Sequence, residues 1–151
     1  MNSTYYPRAK DAQEKWYIVD AKGEVVGRLA SRVAAILRGK TRPTFHPAVN
    51  SQAHVVVINA DKAILTGRKL KQKKYESHSG YPGGFKSKTA EELHREKPGD
   101  ILRRAINGML PHTSLGSALK TNLRIYAGES HPHSAQQPEA ITVTKPRAKK
   151  A

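Results

Sequence analysis

The spacing of apolar positions changes several times along the chain, and each change marks an element. Trp16-Tyr-Ile-Val-Asp20 is a short β-type run, and Ala21-Lys-Gly-Glu24 supplies turn residues behind it. From Gly27 the period becomes helical. Leu29, Val33, Ile36 and Leu37 fall at i, i+4, i+7 and i+8, which predicts a helix over 27–38 that stops at Gly39. Residues 40–54 contain Pro43 and Pro47 and read as a loop. Val55-Val-Val-Ile-Asn59 is a continuous apolar run, the kind expected of a strand covered on both faces.

Residues 60–67 predict a short helical turn, and 73–78 a further strand. Ser79-Gly-Tyr-Pro-Gly-Gly84 reads as turns, because three glycines and a proline in six residues suit no regular element. Thr89 with Glu92 three residues later is a capping-box signature for a helix over 89–96. Ile101, Leu102, Ala105, Ile106 and Met109 share one face of a helix over 100–110, ended by Pro111. A short helix over 114–121 and a last strand over 123–127 follow. Strands alternating with helices predict an α/β domain on a mostly parallel sheet. The expected organisation is an irregular arm over 1–15, one domain over 16–138, and an extended, basic, disordered tail over 139–151.

Charge changes the picture from fold to partner. The 151 residues carry 27 Lys and Arg against 12 Asp and Glu, a formal net charge of +15. Such an excess repels itself in an isolated compact fold, so a polyanion is the economical partner, and nucleic acid is the first candidate. A membrane surface would call for a basic amphipathic helix with bulky apolar residues, and none stands out. No apolar run is long enough to span a bilayer, and the polar N-terminus has no apolar core of a signal peptide. The absence of cysteine excludes disulfides, cysteine zinc sites and thiolate chemistry, and suits a reducing compartment.

Two basic clusters carry the candidate chemistry. Arg28, Arg32, Arg38, Lys40 and Arg42 follow one another with no acid between them, and the first three lie off the apolar stripe of their helix. The arginine fork can donate two parallel hydrogen bonds to a phosphate. The second cluster holds Arg68, Lys69, Lys71, Lys73, Lys74, Lys86 and Lys88 against Glu76 alone. Within it sit Tyr75, His78, Tyr81 and Phe85, rings that can stack on unpaired bases. Gly80, Gly83 and Gly84 let the backbone come close to a phosphate or ribose, and Ser79 joins them among the candidates. The opposing reading is a mobile loop whose tyrosines pack back on the domain. Arg103 and Arg104 lie outside the apolar face of their helix and join the candidates.

Other chemistry finds little support. Neither GxxxxGK[ST] nor GxGxxG is present, so no nucleotide cofactor site is expected. His131-Pro-His133 lacks the further ligands zinc needs, and a histidine-rich turn at an RNA surface is the preferred reading of His131 and His133. No nucleophile elbow or carboxylate pair appears; Asp20 reads as a turn-stabilising acid. No enzyme activity, metal or cofactor is expected.

Taken in order, several segments resemble bacterial large-subunit ribosomal protein thirteen. They are Trp16-Tyr-Ile-Val-Asp20, Gly27-Arg-Leu-Ala-Ser31, Leu37-Arg-Gly-Lys40, Ile58-Asn-Ala60, Leu65-Thr-Gly67, His78-Ser-Gly-Tyr-Pro-Gly-Gly84, Gly108-Met-Leu-Pro111, Tyr126-Ala-Gly128, His131-Pro-His133 and Ala135-Gln-Gln-Pro138. The resemblance implies a three-layer α/β/α fold with a small, mainly parallel four-stranded sheet. It implies a structural constituent of the large subunit that binds large-subunit ribosomal RNA, assembles early and has ribosomal protein neighbours. By the same resemblance residues 78–84 form an RNA-contacting loop, the compartment is cytoplasmic, and no homo-oligomer or membrane contact is expected. Ser114 and Ser117 depart from positions that are often basic in the family. The long tail hints at a cyanobacterial or plastid type of ribosome, which would make the plastid stroma the compartment. The rival reading from the residues alone is a free RNA-binding regulator of translation.

Overall fold

In a computed structural model of the chain, residues 6–8 and 13–142 are described. Strand β1 (Lys15–Asp20) leads into helix α1 (Val26–Arg38), and β2 (Ala53–Ile58) follows the loop after it. A 3-10 turn (Ala60–Lys62) and the short α2 (Lys69–Gln72) precede a pair of strands, β3 (Lys74–His78) and β4 (Phe85–Thr89). Then come α3 (Ala90–Glu96), α4 (Asp100–Met109), α5 (Ser114–Thr121), β5 (Leu123–Ile125) and β6 (Glu139–Ala140). The α/β class is as the sequence predicts, and the mainly parallel four-stranded sheet is as the resemblance implies: the strand order is β5-β2-β1-β6, and every pairing in it is parallel.

That order steps one way from β1 to β2 to β5, then returns past β1 to β6. Right-handed crossovers therefore put the helices between β1 and β5 on one face and send the return connection across the other. The side chains agree. Val19, Val55, Val57 and Leu123 share one buried cluster with Leu29, Val33 and Leu37 of α1, Leu93 of α3, Ile101, Leu102 and Ile106 of α4, and Leu119 of α5. Cβ atoms alternate along a strand, so Trp16, Ile18, His54 and Val56 face the other way. There Trp16 stacks on His54 at 4.4 Å between ring centroids, and His133 from the return connection lies 5.2 Å from Trp16. Both faces of β2 are thereby covered, as its unbroken apolar run predicts.

The local signals act as expected. Helix α1 buries Leu29, Ala30, Val33 and Leu37 and ends at Gly39. At α3, the Thr89 side chain accepts from the Glu92 N–H at 3.3 Å, and the Glu92 carboxylate accepts from the Thr89 N–H at 2.9 Å. Asp20 stabilises a turn: its Oδ1 accepts from the Lys22 N–H and from Asn59 Nδ2, each at 2.9 Å. These bonds, the Lys22 N–H first, hold its carboxyl below the usual carboxylate range.

Three expectations change. Residues 85–89, which the apolar pattern assigns to no element, form β4, and 69–72 form a turn of helix. The stretch expected as a tail begins with a strand instead: β6 pairs with Tyr17 and Ile18, and the Ile141 N–H donates to the Ile18 carbonyl at 2.9 Å. An open parallel edge on β1 offers this extended segment backbone partners that composition alone does not reveal. The remaining tail over 143–151, with its lysines, lies outside the described residues, as do 1–5 and 9–12 of the expected arm.

Candidate nucleic-acid interface

Strands β3 and β4 form an antiparallel ribbon separate from the main sheet, with His78 opposite Phe85 and Tyr75 opposite Lys88. Only Tyr75 and Thr89, at its base, are half-buried; the other residues of both strands are exposed. A two-stranded ribbon with both faces in water is marginal by itself. Its base is therefore where the domain must hold it. The Ala90 N–H donates to the Lys73 carbonyl at 2.8 Å, and the Tyr75 ring has Lys73 Nζ at 5.4 Å and the Arg104 guanidinium at 5.5 Å. Asp100 accepts from Arg104 Nε at 2.9 Å and fixes that guanidinium one helical turn away. Burial pushes the Tyr75 hydroxyl above its ordinary pKa.

The tip over 79–84 is a closed turn. Ser79 N–H donates to the Gly84 carbonyl at 3.2 Å, and Gly84 N–H donates to the Tyr81 carbonyl at 2.9 Å. His78 Nδ1 accepts from the Gly80 N–H at 2.9 Å, which orients the imidazole. Tyr81 is 76% exposed and Phe85 60%, so the rings are held out in solvent and do not pack back on the domain. Gly80 and Gly83 have φ of 88° and 72°, a backbone region that side chains resist. Arg68, Lys69, Lys71, Lys74 and Lys86 are all exposed along the ribbon and the helix beside it. Lys88 instead pairs with Glu96 at 2.6 Å.

The other candidates separate. Arg28, Arg32 and Lys40 are exposed, while Arg38 is half-buried in the last turn of α1, where a cation suits the helix dipole. Arg42 turns inward: its Nη1 donates to the Ser51 carbonyl at 2.7 Å. Arg104 is engaged at the ribbon base, but Arg103 points to a different groove beside β5. His133 covers the sheet, with Nε2 2.8 Å from the Tyr126 hydroxyl, and His131 Nδ1 accepts from the His133 N–H at 3.2 Å. Both are half-buried, so this pair packs on the domain and keeps part of each ring at the surface. The pairing of Phe85 with His78 has one weak signal in the sequence, the alternation in Phe85-Lys-Ser-Lys-Thr89.

Among the described residues no group of three or more His, Asp or Glu is placed to hold a metal. Among them, too, no helix is long and apolar enough to cross a membrane. The family model for ribosomal protein L13 matches residues 14–132. Large ribosomal subunit protein uL13 of Mycoplasmopsis synoviae (strain 53) is 52% identical over 143 residues, covering 95% of this chain and 99% of that one. Its namesake in Geobacillus kaustophilus (strain HTA426) is 52% identical over 139 residues, 92% of this chain and 96% of that one. The protein of the same name in Synechocystis sp. is 50% identical over 143 residues, 95% of each chain. The class is that of structural ribosomal proteins, which are not enzymes. The chain belongs to the ribosomal protein L13 family.

Proposed function

We propose that the chain is a structural constituent of the large ribosomal subunit, that it binds large-subunit ribosomal RNA, and that it joins the particle early in assembly beside neighbouring ribosomal proteins in the cytoplasm. The observation that carries this reading is the ribbon: two strands exposed on both faces, flanked by lysines, with Tyr81 and Phe85 held out at its tip. Lysines neutralise phosphates and release counterions, and the rings stack on unpaired bases. The exposed arginines of α1 supply a second set of phosphate contacts. The family and the names of its relatives support the same reading.

Sedimentation tests it. The protein should follow the large subunit through a moderate-salt wash and should already be present in small precursor particles. Recovery at the top of the gradient would point to a free regulator instead.

The tip offers a second test. A Cβ on Gly84 would stand 2.8 Å from the Tyr81 carbonyl oxygen of the same turn, so Gly84→Ala must distort the tip. We expect RNA affinity to fall about tenfold while the melting temperature moves by no more than about 2 °C, because the ribbon lies outside the core. Filter binding and a thermal melt read the two effects separately.

A further inference from the structure

A basic groove lies at the open edge of the sheet. β5 is an outer strand, paired only with β2, so one side of its backbone has no strand partner among the described residues. Beside it Arg103 of α4, Lys120 of α5 and Arg124 of β5 line a groove of about 490 Å³, with no Asp or Glu in its wall. Arg124 Nη1 donates to the carbonyl of Thr121, another wall residue. None of the three cations makes an ion pair among the described residues. Asn107, one turn beyond Arg103, lines the same groove, and its side-chain oxygen is buried without a hydrogen-bond partner.

We propose that this groove is a further RNA-backbone site, in which Arg103, Lys120 and Arg124 take successive phosphates and Asn107 accepts a hydrogen bond from a ribose hydroxyl. The inference rests on the RNA-binding reading above and adds a surface to it. Two features favour a ribose-phosphate chain over a protein neighbour. Uncompensated cations from three different elements converge there, where blunting a sheet edge against aggregation would need only one. An unpartnered acceptor among cations suits a ligand that carries both anions and hydroxyl donors, and the 2′-hydroxyl is the donor that separates RNA from DNA. Arg104, the next residue of α4, reaches the ribbon, so one helix carries a contact toward each surface.

Binding of the full chain to transcribed large-subunit ribosomal RNA, measured across a salt series, tests the proposal. The variant Arg103→Gln/Lys120→Gln/Arg124→Gln should bind at least about tenfold more weakly near 0.15 M salt, with a salt slope shallower by about 2. Asn107→Leu should weaken binding about threefold to tenfold and leave the slope unchanged, since it removes no charge. If the triple variant melts early, Arg103→Gln alone, on an exposed helix position, should still flatten the slope by somewhat less than about 1. Wild-type binding with unchanged slopes in the charge variants overturns the groove and leaves the ribbon reading standing; loss from the particle with unchanged RNA binding assigns it to a protein neighbour and also overturns it. A wild-type chain indifferent to the RNA overturns both.

Discussion

Replacing Lys69, Lys71, Lys73 and Lys74 together with Gln should weaken binding to ribosomal RNA about a hundredfold near 0.15 M salt and make the salt dependence shallower by about 3. The size follows from counterion release. Each phosphate contact contributes a slope of roughly 0.7 to 0.9, so four contacts account for about 3, and that slope is worth two to three decades between 1 M and 0.15 M. The four side chains are exposed, and Gln keeps the helix propensity of Lys69 and Lys71 in α2, so the fold should be undisturbed. Two of the four also make contacts within the chain: Lys73 lies 5.4 Å from the Tyr75 ring, and Lys69 Nζ donates to the Thr66 hydroxyl at 3.3 Å. A binding isotherm followed from about 50 to 300 mM salt checks the prediction; an unchanged slope would remove this cluster from the interface.

How much of this was legible in the sequence depends on where the ordering force comes from. The helices over 26–38 and 100–109 are legible because their apolar stripes are buried against one core, and a 3.6-residue period is the direct record of that burial. Strand β4 is barely so, because Phe85-Lys-Ser-Lys-Thr89 buries nothing beyond its last residue and leaves only a weak alternation. β6 is hidden for a similar reason: Glu139 and Ala140 are exposed and are held by backbone hydrogen bonds to β1.

The candidate site divides along the same line. Charge density marks Lys69 to Lys74 without any fold. The contrast between Arg103 and Arg104 is invisible until α4 is packed, because adjacent helical residues point about 100° apart and only the neighbours decide what each one meets. His131 and His133 show the reverse dependence. Their composition reads as a binding turn, and the return connection of a parallel sheet adds packing that composition does not show: His133 lies beside Trp16 and Tyr126, and His131 stacks on His133.

The largest effect on stability is expected at Gly116, in the first turn of α5. A Cβ there would stand 1.8 Å from the Pro111 carbonyl oxygen and 2.8 Å from its carbon. Both obstacles are backbone, so no side-chain rotation relieves the clash. Either α5 or the Pro111 turn must move, and α5 is anchored by Leu119, which is 2% exposed, and by the Thr113 hydroxyl that accepts from the Gly116 N–H at 3.2 Å. Gly116→Ala should therefore cost about 3 kcal/mol, the upper range of overpacking, and lower the melting temperature by roughly 10 °C. Gly108→Ala is the internal control. It sits in α4 with nothing within 4 Å of the added methyl, so the same substitution should be neutral or stabilise by up to about 1 kcal/mol. Denaturant titration of both variants decides it: equal effects would mean that close approach to Pro111 is not what Gly116 provides.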